Sequence, residues 1–300
     1  MTVPGPGGPT GRGNDPTIPL PVPTVPVRVP VPVTGPPAAS VRYAPAGYRP
    51  GRIRPRRRRV RKLLRRTAGF VVGMAVLGAV AFGGLLLVTP SAGNAEALVR
   101  AQDLEHNAAY PGPPVAPRFA ASLVATEDHR FYSEPGIDVF AVGRVGLSYA
   151  TGHGDQGGAT LYQQLAKLLY TQGRSGASVE GEQVALAVKL YLSYSRQQIL
   201  QMYADVVYFG NGYYGLAAAS CGYFGVEPAS LSWPQAALLA GLVQGPSEDD
   251  PLTNPANARA REEHVIGRLV ATGELTQAQA DTALAVPLSA LLANGGGCSQ

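Results

Sequence analysis

Residues 68–88 form an unbroken run without a single charged side chain, and ten Lys and Arg residues stand directly before it between positions 52 and 66. At about 1.5 Å of rise per residue such a run makes roughly 31 Å of helix, the thickness of a bilayer's hydrocarbon core. A buried core helix would carry a polar stripe, and a cleaved signal peptide would not follow so long an arm. The run is therefore expected to be a single transmembrane helix. Charge sets its expected orientation. Residues 1–67 carry 14 Lys and Arg against one acid, net +13, whereas residues 68–300 carry 11 against 19, net −8. A polybasic stretch resists translocation, stays on the cytoplasmic face and attracts anionic lipid, so the N-terminus is placed in the cytoplasm and the bulk of the chain outside. The pI of 9.3 describes the arm rather than the outer domain. Because the basic run abuts a span, membrane contact is preferred to nucleic acid as its partner.

The first 50 residues contain fourteen prolines and show no helical or alternating apolar period. Proline supplies no amide donor, so this segment reads as a disordered, extended arm, with a proline-rich ligand for a cytoplasmic protein as the alternative. The expected organisation is an arm over 1–67, a span over 68–88, a folded domain over 95–290 and a flexible tail over 291–300.

Capping signatures mark the outer domain as mainly α. Ser195 to Gln198, Ser232 to Gln235 and Thr276 to Gln279 each have the form of a reciprocal cap, and each precedes an apolar run or a stretch at helical spacing. Residues 256–272 read as an amphipathic helix closed by Gly273. Cys221 and Cys298 are the only cysteines. An extracytoplasmic compartment permits a bridge between them, and two unpaired thiols are an equal reading. Metal-ligand spacing among Cys and His is absent from the sequence, so no metal site is expected.

Three polar clusters interrupt the helices. The first, Glu127-Asp128-His129-Arg130-Phe131, follows the apolar stretch 119–125. A carboxylate at the edge of an apolar segment has its pKa raised and can accept a proton near neutral pH. The second, Ala159-Thr160-Leu161-Tyr162-Gln163-Gln164-Leu165-Ala166-Lys167, presents amides and an ammonium after Gly157-Gly158. The third runs from Tyr203 to Phe224 and includes Tyr208-Phe209-Gly210-Asn211-Gly212.

In this order the clusters resemble glycosyltransferase family 51, the peptidoglycan glycosyltransferases. Its first motif, Glu-Asp-x-x-Phe-x-x-His-x-Gly, is met by Glu127, Asp128, Phe131 and Gly136. Its second, Gly-x-Ser-Thr-x-Thr-Gln-Gln-Leu-x-Lys, is met by Gly157 or Gly158, Thr160, Gln163, Gln164, Leu165 and Lys167. Later motifs are similar over 194–205 and 208–215. The resemblance spans about 110–280 and implies a mainly α, lysozyme-like domain of two lobes on the membrane. The implied reaction is inverting polymerisation of lipid II into a growing glycan strand with release of undecaprenyl diphosphate. It implies Glu127 as the base, Lys167 and Arg174 as holding the donor diphosphate, Gln163 and Gln164 as lining the groove, and Asp128, Phe131, Thr160 and Asn211 as further substrate-binding residues. No cofactor is required, a divalent ion is compatible with the chemistry, and cell-wall synthesis or division proteins are implied partners. The chain carries no Ser-x-x-Lys or Lys-Thr-Gly set of a penicillin-binding domain.

Departures from the motifs are specific. The second carboxylate of the family falls at Gln183, and Val179 and Glu180 stand where Arg and Lys belong. Glu180, one turn before Gln183 on the same helix face, is the nearest substitute as a catalytic acid, and Glu182 lies about 100° away. Glu134 replaces the first-motif His, Ala159 the Ser, Tyr162 the Thr and Leu168 the Asn. Two readings stay open: an active polymerase, and a degenerate member that binds lipid II or a cell-wall complex without polymerising. A glycan hydrolase and a structural scaffold are readings from other classes.

Overall fold

The computed structural model describes residues 56–134, 136, 159–293 and 298. The features below lie in residues 59–300, the second of the two units into which the chain divides, apart from the first three residues of α1. Residues 1–55 of the predicted arm over 1–67, Gly157 and Gly158 of the second motif, and most of the tail lie outside the described residues.

The first helix, α1 (Arg56–Val88), begins at Arg56 rather than at residue 68. Arg and Lys are good helix formers and no breaker separates them from the apolar run, so the helix extends into the basic segment. Its portion Val60–Val88 has a mean hydropathy of 2.5, is long and apolar enough to cross a membrane, and buries none of its most apolar window in protein.

The exit of α1 is held by donors from later in the chain. The Lys189 ammonium donates to the Thr89 and Pro90 carbonyls at 2.7 and 2.9 Å. Tyr194 Oη donates to the Ala92 carbonyl at 3.1 Å. A helix C-terminus leaves its last carbonyls unpaired and carries partial negative charge, so an ammonium there satisfies both demands. Gly181 faces Leu85 of the span, where an added Cβ would sit 3.4 Å from the leucine Cδ2.

Beyond a short turn at Ala92–Asn94 come α2 (Ala95–Glu105) and α3 (Pro117–Glu127). After the undescribed segment follow α4 (Leu161–Ala166), a π-helical turn (Lys167–Thr171), α5 (Ala177–Ser193) and α6 (Arg196–Val206). The chain ends through α7 (Leu216–Phe224), α8 (Trp233–Leu242), α9 (Pro255–Ala271), α10 (Gln277–Leu284) and α11 (Leu288–Leu291). All three predicted caps are formed, opening α6, α8 and α10. The predicted helix over 256–272 appears one residue earlier, and Gly273 closes it at φ +82°.

Helix α8 is apolar all round, with every residue from Ala236 to Leu242 buried, which requires cover on all sides. It packs chiefly on α3 and α9, while α4 lies against α5 and α6. One contiguous apolar core joins these groups. The described residues contain no strand, only a single antiparallel bridge between Tyr208 and Tyr214. The turn between them takes positive φ at Gly210, Asn211 and Gly212. At Gly210 a side chain would also collide with the Pro246 carbonyl, so glycine is required there twice over. Cys221 of α7 and Cys298 are joined as a disulfide with their Cα atoms 5.1 Å apart, which decides between the two readings of the cysteine pair.

Candidate active site

Glu127 is the last residue of α3. Phe119, Leu123, Val124 and Ala125 bury the face of that helix, and Arg268 of α9 donates to the Ala125 carbonyl at 3.0 Å. The helix end is thereby pinned and the Glu127 side chain leaves the core at its edge, partly exposed. Its Oε2 accepts from Gln164 Nε2 at 2.9 Å. Gln164 Oε1 in turn accepts from Tyr203 Oη at 2.7 Å. An amide oriented by a phenol thus holds the carboxylate, and three helices, α3, α4 and α6, meet at it.

Burial raises the Glu127 pKa, and the Asp128 charge adds to the rise; the Gln164 hydrogen bond, Arg261 and His264 oppose it. This is the condition expected of a general base working near neutral pH. Arg261 is itself ion-paired to Asp249 at 2.9 Å and bonded to Gln244. The phenol of Tyr203 is held well above its usual range by complete burial, so it stays a donor to Gln164.

Several of the predicted binding residues are occupied in holding the site together. Asp128 is buried and its Oδ2 accepts the Leu161 amide at 3.0 Å, tying the end of α3 to the start of α4. Thr160 is the N-cap of α4: its hydroxyl accepts the Gln163 amide at 3.2 Å and donates to the Gly136 carbonyl at 2.9 Å. Gln163 completes the reciprocal cap by accepting the Thr160 amide at 3.0 Å. The Thr-x-x-Gln spacing carries the same signature as the three recognised caps, so the signal for this role was present in the sequence and missed. Phe131 is fully buried and stacks on Tyr162 with ring centroids 5.3 Å apart. Asn211 sits at the exposed tip of the Tyr208–Tyr214 turn with φ +50°.

The remaining residues form a second cluster across the π-helical turn and the first turns of α5. Lys167 is exposed. Gln183 Nε2 donates to the Thr171 hydroxyl at 2.8 Å. Arg174 pairs with Glu182 at 2.6 Å, and Glu180 is exposed. The acid paired with the candidate cation is Glu182, while Glu180, the same-face neighbour of Gln183, makes no ion pair among the described residues. Among the described residues no hydrogen bond or ion pair joins this cluster to Glu127. Sequence reasoning named Tyr203 only as the start of the third polar cluster, without a role, and missed Arg261 and His264. The last two lie three apart on α9, a spacing that puts both on one face.

Among the described residues no group of three or more His, Cys, Asp or Glu side chains is placed to hold a metal. A cavity of about 310 Å³ lined by Val115, Tyr132, Leu200 and Gln201 contains none of the residues above.

A half-buried carboxylate at a helix end, with its pKa raised and braced by an amide and a phenol, stands in a helical domain behind a membrane-length helix, a setting suited to acid–base chemistry at a membrane. Residues 96–270 match the transglycosylase family, and the chain belongs to it. Penicillin-binding protein 2a of Streptococcus pneumoniae is 37% identical over 171 residues, 57% of this chain and 23% of that protein. Penicillin-binding protein 1A of Aquifex aeolicus is 35% identical over 169 residues, 56% of this chain and 23% of that protein. A transglycosylase-type protein of Cupriavidus necator is 33% identical over 167 residues, 56% of this chain and 72% of that protein. The chain therefore spans about a quarter of the penicillin-binding relatives and most of the third. A crystal structure of penicillin-binding protein 1A from Haemophilus influenzae aligns with 45% of this chain and 17% of its own at a TM-score of 0.31 and 25% identity.

Proposed function

We propose that this protein is a membrane-anchored peptidoglycan glycosyltransferase that polymerises lipid II. The observation that carries the reading is the Glu127–Gln164–Tyr203 arrangement, a raised carboxylate aimed by two neutral donors in series. Glu127 takes the proton of the acceptor sugar's 4-hydroxyl as that oxygen attacks the donor's anomeric carbon. The carbon–oxygen bond to the diphosphate breaks, and the leaving group departs with the bonding pair from the opposite face. Lys167 and Arg174 supply positive charge for that diphosphate. A membrane anchor suits a substrate whose lipid tail stays in the bilayer, because anchoring raises the effective concentration. The deciding experiment incubates the purified full chain with labelled lipid II, and formation of glycan polymer is the expected result. Lipid II that is bound and left unpolymerised would instead favour the degenerate reading. That reading has its own support in the neutral Gln183 and in Arg174 already neutralised by Glu182.

The neutral residue at the second catalytic position is testable by restoring its charge. Gln183→Glu restores a carboxylate, and the Thr171 hydroxyl can reverse from acceptor to donor, so the contact survives. Turnover rises about tenfold, the effect of ~1.4 kcal/mol on the barrier. Glu180→Gln lowers turnover if that acid substitutes for the missing one; an unchanged rate assigns the substitution elsewhere. For topology, a cysteine introduced at position 40 stays unlabelled by an impermeant reagent in intact cells, and labelling there would reverse the orientation.

A further inference from the structure

Glu134 is 7% exposed although it is an acid in a loop, and Asp128 beside it is also 7% exposed. The two carboxyl groups lie within hydrogen-bond reach of each other. Asp128 ties the base-bearing helix end directly to the first amide of α4, and α4 carries Gln164, which holds Glu127. Two buried carboxylates facing each other cannot both be charged without strong repulsion.

We propose that Glu134 is a positioning residue that keeps a proton and donates it in a hydrogen bond to Asp128, so that the pair clamps α4 to α3 and holds Gln164 against Glu127. The inference rests on the reading of Glu127 as the base.

The surroundings give the proton to Glu134 rather than to Asp128. Asp128 accepts the Leu161 amide and an amide from Arg130, and His129 favours its charge. Glu134 has one carboxyl oxygen, Oε1, buried without a hydrogen-bond partner among the described residues. Among the described residues the cation facing it is the Arg130 guanidinium at 3.9 Å, itself 31% exposed. The element packed against the pair, α4, brings the neutral phenol of Tyr162, and Arg196 of α6 lies behind it, donating to the Phe131 carbonyl at 3.1 Å. Burial and the Asp128 charge therefore outweigh Arg130 and push Glu134 up to about 7. Above that pH the proton leaves, two charges face each other in a closed site, and Asp128 is driven off the Leu161 amide.

A carboxyl raised in the folded state contributes stability that is full below its unfolded pKa and is lost as pH rises through the folded value. The wild type should thus lose stability and activity on the alkaline side through this pair. Glu134→Gln keeps a donor that cannot ionise, so it removes that alkaline loss. Glu134→Leu offers no donor and should weaken the clamp at every pH.

The test measures thermal melts and lipid II polymerisation of the full chain in detergent at about pH 6 and about pH 8. The expected result is that the melting temperature of Glu134→Gln relative to wild type is about 2–4 °C more favourable at the higher pH than at the lower. Its ratio of high-pH to low-pH rate should exceed the wild-type ratio by about tenfold. Other raised carboxyls titrate in the same window, so the difference between variant and wild type is the quantity read. Equal melting slopes for the two proteins would overturn the proposal. The melts need no substrate: a wild type that fails to polymerise at either pH sinks the functional reading and leaves the clamp to be judged by the melts alone.

Discussion

Glu127→Gln lowers the rate of lipid II polymerisation about 10²–10⁴-fold, the range expected when a positioned general base is removed, and leaves the fold intact. The substituted amide keeps the size of the side chain, and its oxygen can still accept from Gln164, so the contact between α3 and α4 persists. What disappears is the capacity to take a proton. Because burial raises the Glu127 pKa, the charged form is disfavoured in the folded state, and stability from this group is lost as pH rises through the folded value. The variant should therefore melt at or above the wild-type temperature in alkaline buffer and match it in acid. A loss shared between kcat and kcat/KM with substrate binding retained is the signature of a transition-state contact. Retention of more than about half the rate would remove Glu127 from the mechanism.

Phe131→Ala should instead be a stability variant, destabilising by about 3–5 kcal/mol and lowering Tm on the order of 10 °C. The family resemblance puts this ring among the substrate-binding residues, whereas in the fold it is fully buried. It stacks on Tyr162 and meets the edge of Tyr132, with centroids 5.2 Å apart in the second pair. Truncation leaves a cavity in the layer between the Glu127 loop and α4, where neighbours are fixed by the Asp128–Leu161 hydrogen bond and cannot collapse freely. Melting of the purified chain by circular dichroism measures the loss. An unchanged Tm together with a raised KM would return Phe131 to the substrate site.

The contrast between these two residues shows where sequence reading reaches its limit. Glu127 and Phe131 belong to one motif and so to one expected site, yet one emerges at the helix end and the other turns into the core. Thr160 and Gln163 repeat the lesson, since the Thr160 hydroxyl and Gln163 Oε1 that a motif assigns to substrate also form a helix cap. The Arg174–Glu182 ion pair is a contact between two elements, and counting residues around a single helix could not supply it.

Sequence alone determined the membrane-length helix, the mainly α character, three helix starts and the place of Glu127 at a helix end. Each of these depends on residues within a turn or two of each other, whether by uninterrupted apolarity, a reciprocal cap or an apolar face that stops. Tertiary structure decided which side chains meet: Gln164 between Glu127 and Tyr203, Glu134 against Asp128, Lys189 on the exit of the span, and Cys221 with Cys298. Such contacts join residues on separate elements, and their partners are selected by how the helices pack and which polar groups burial leaves unpaired, quantities that no local spacing encodes.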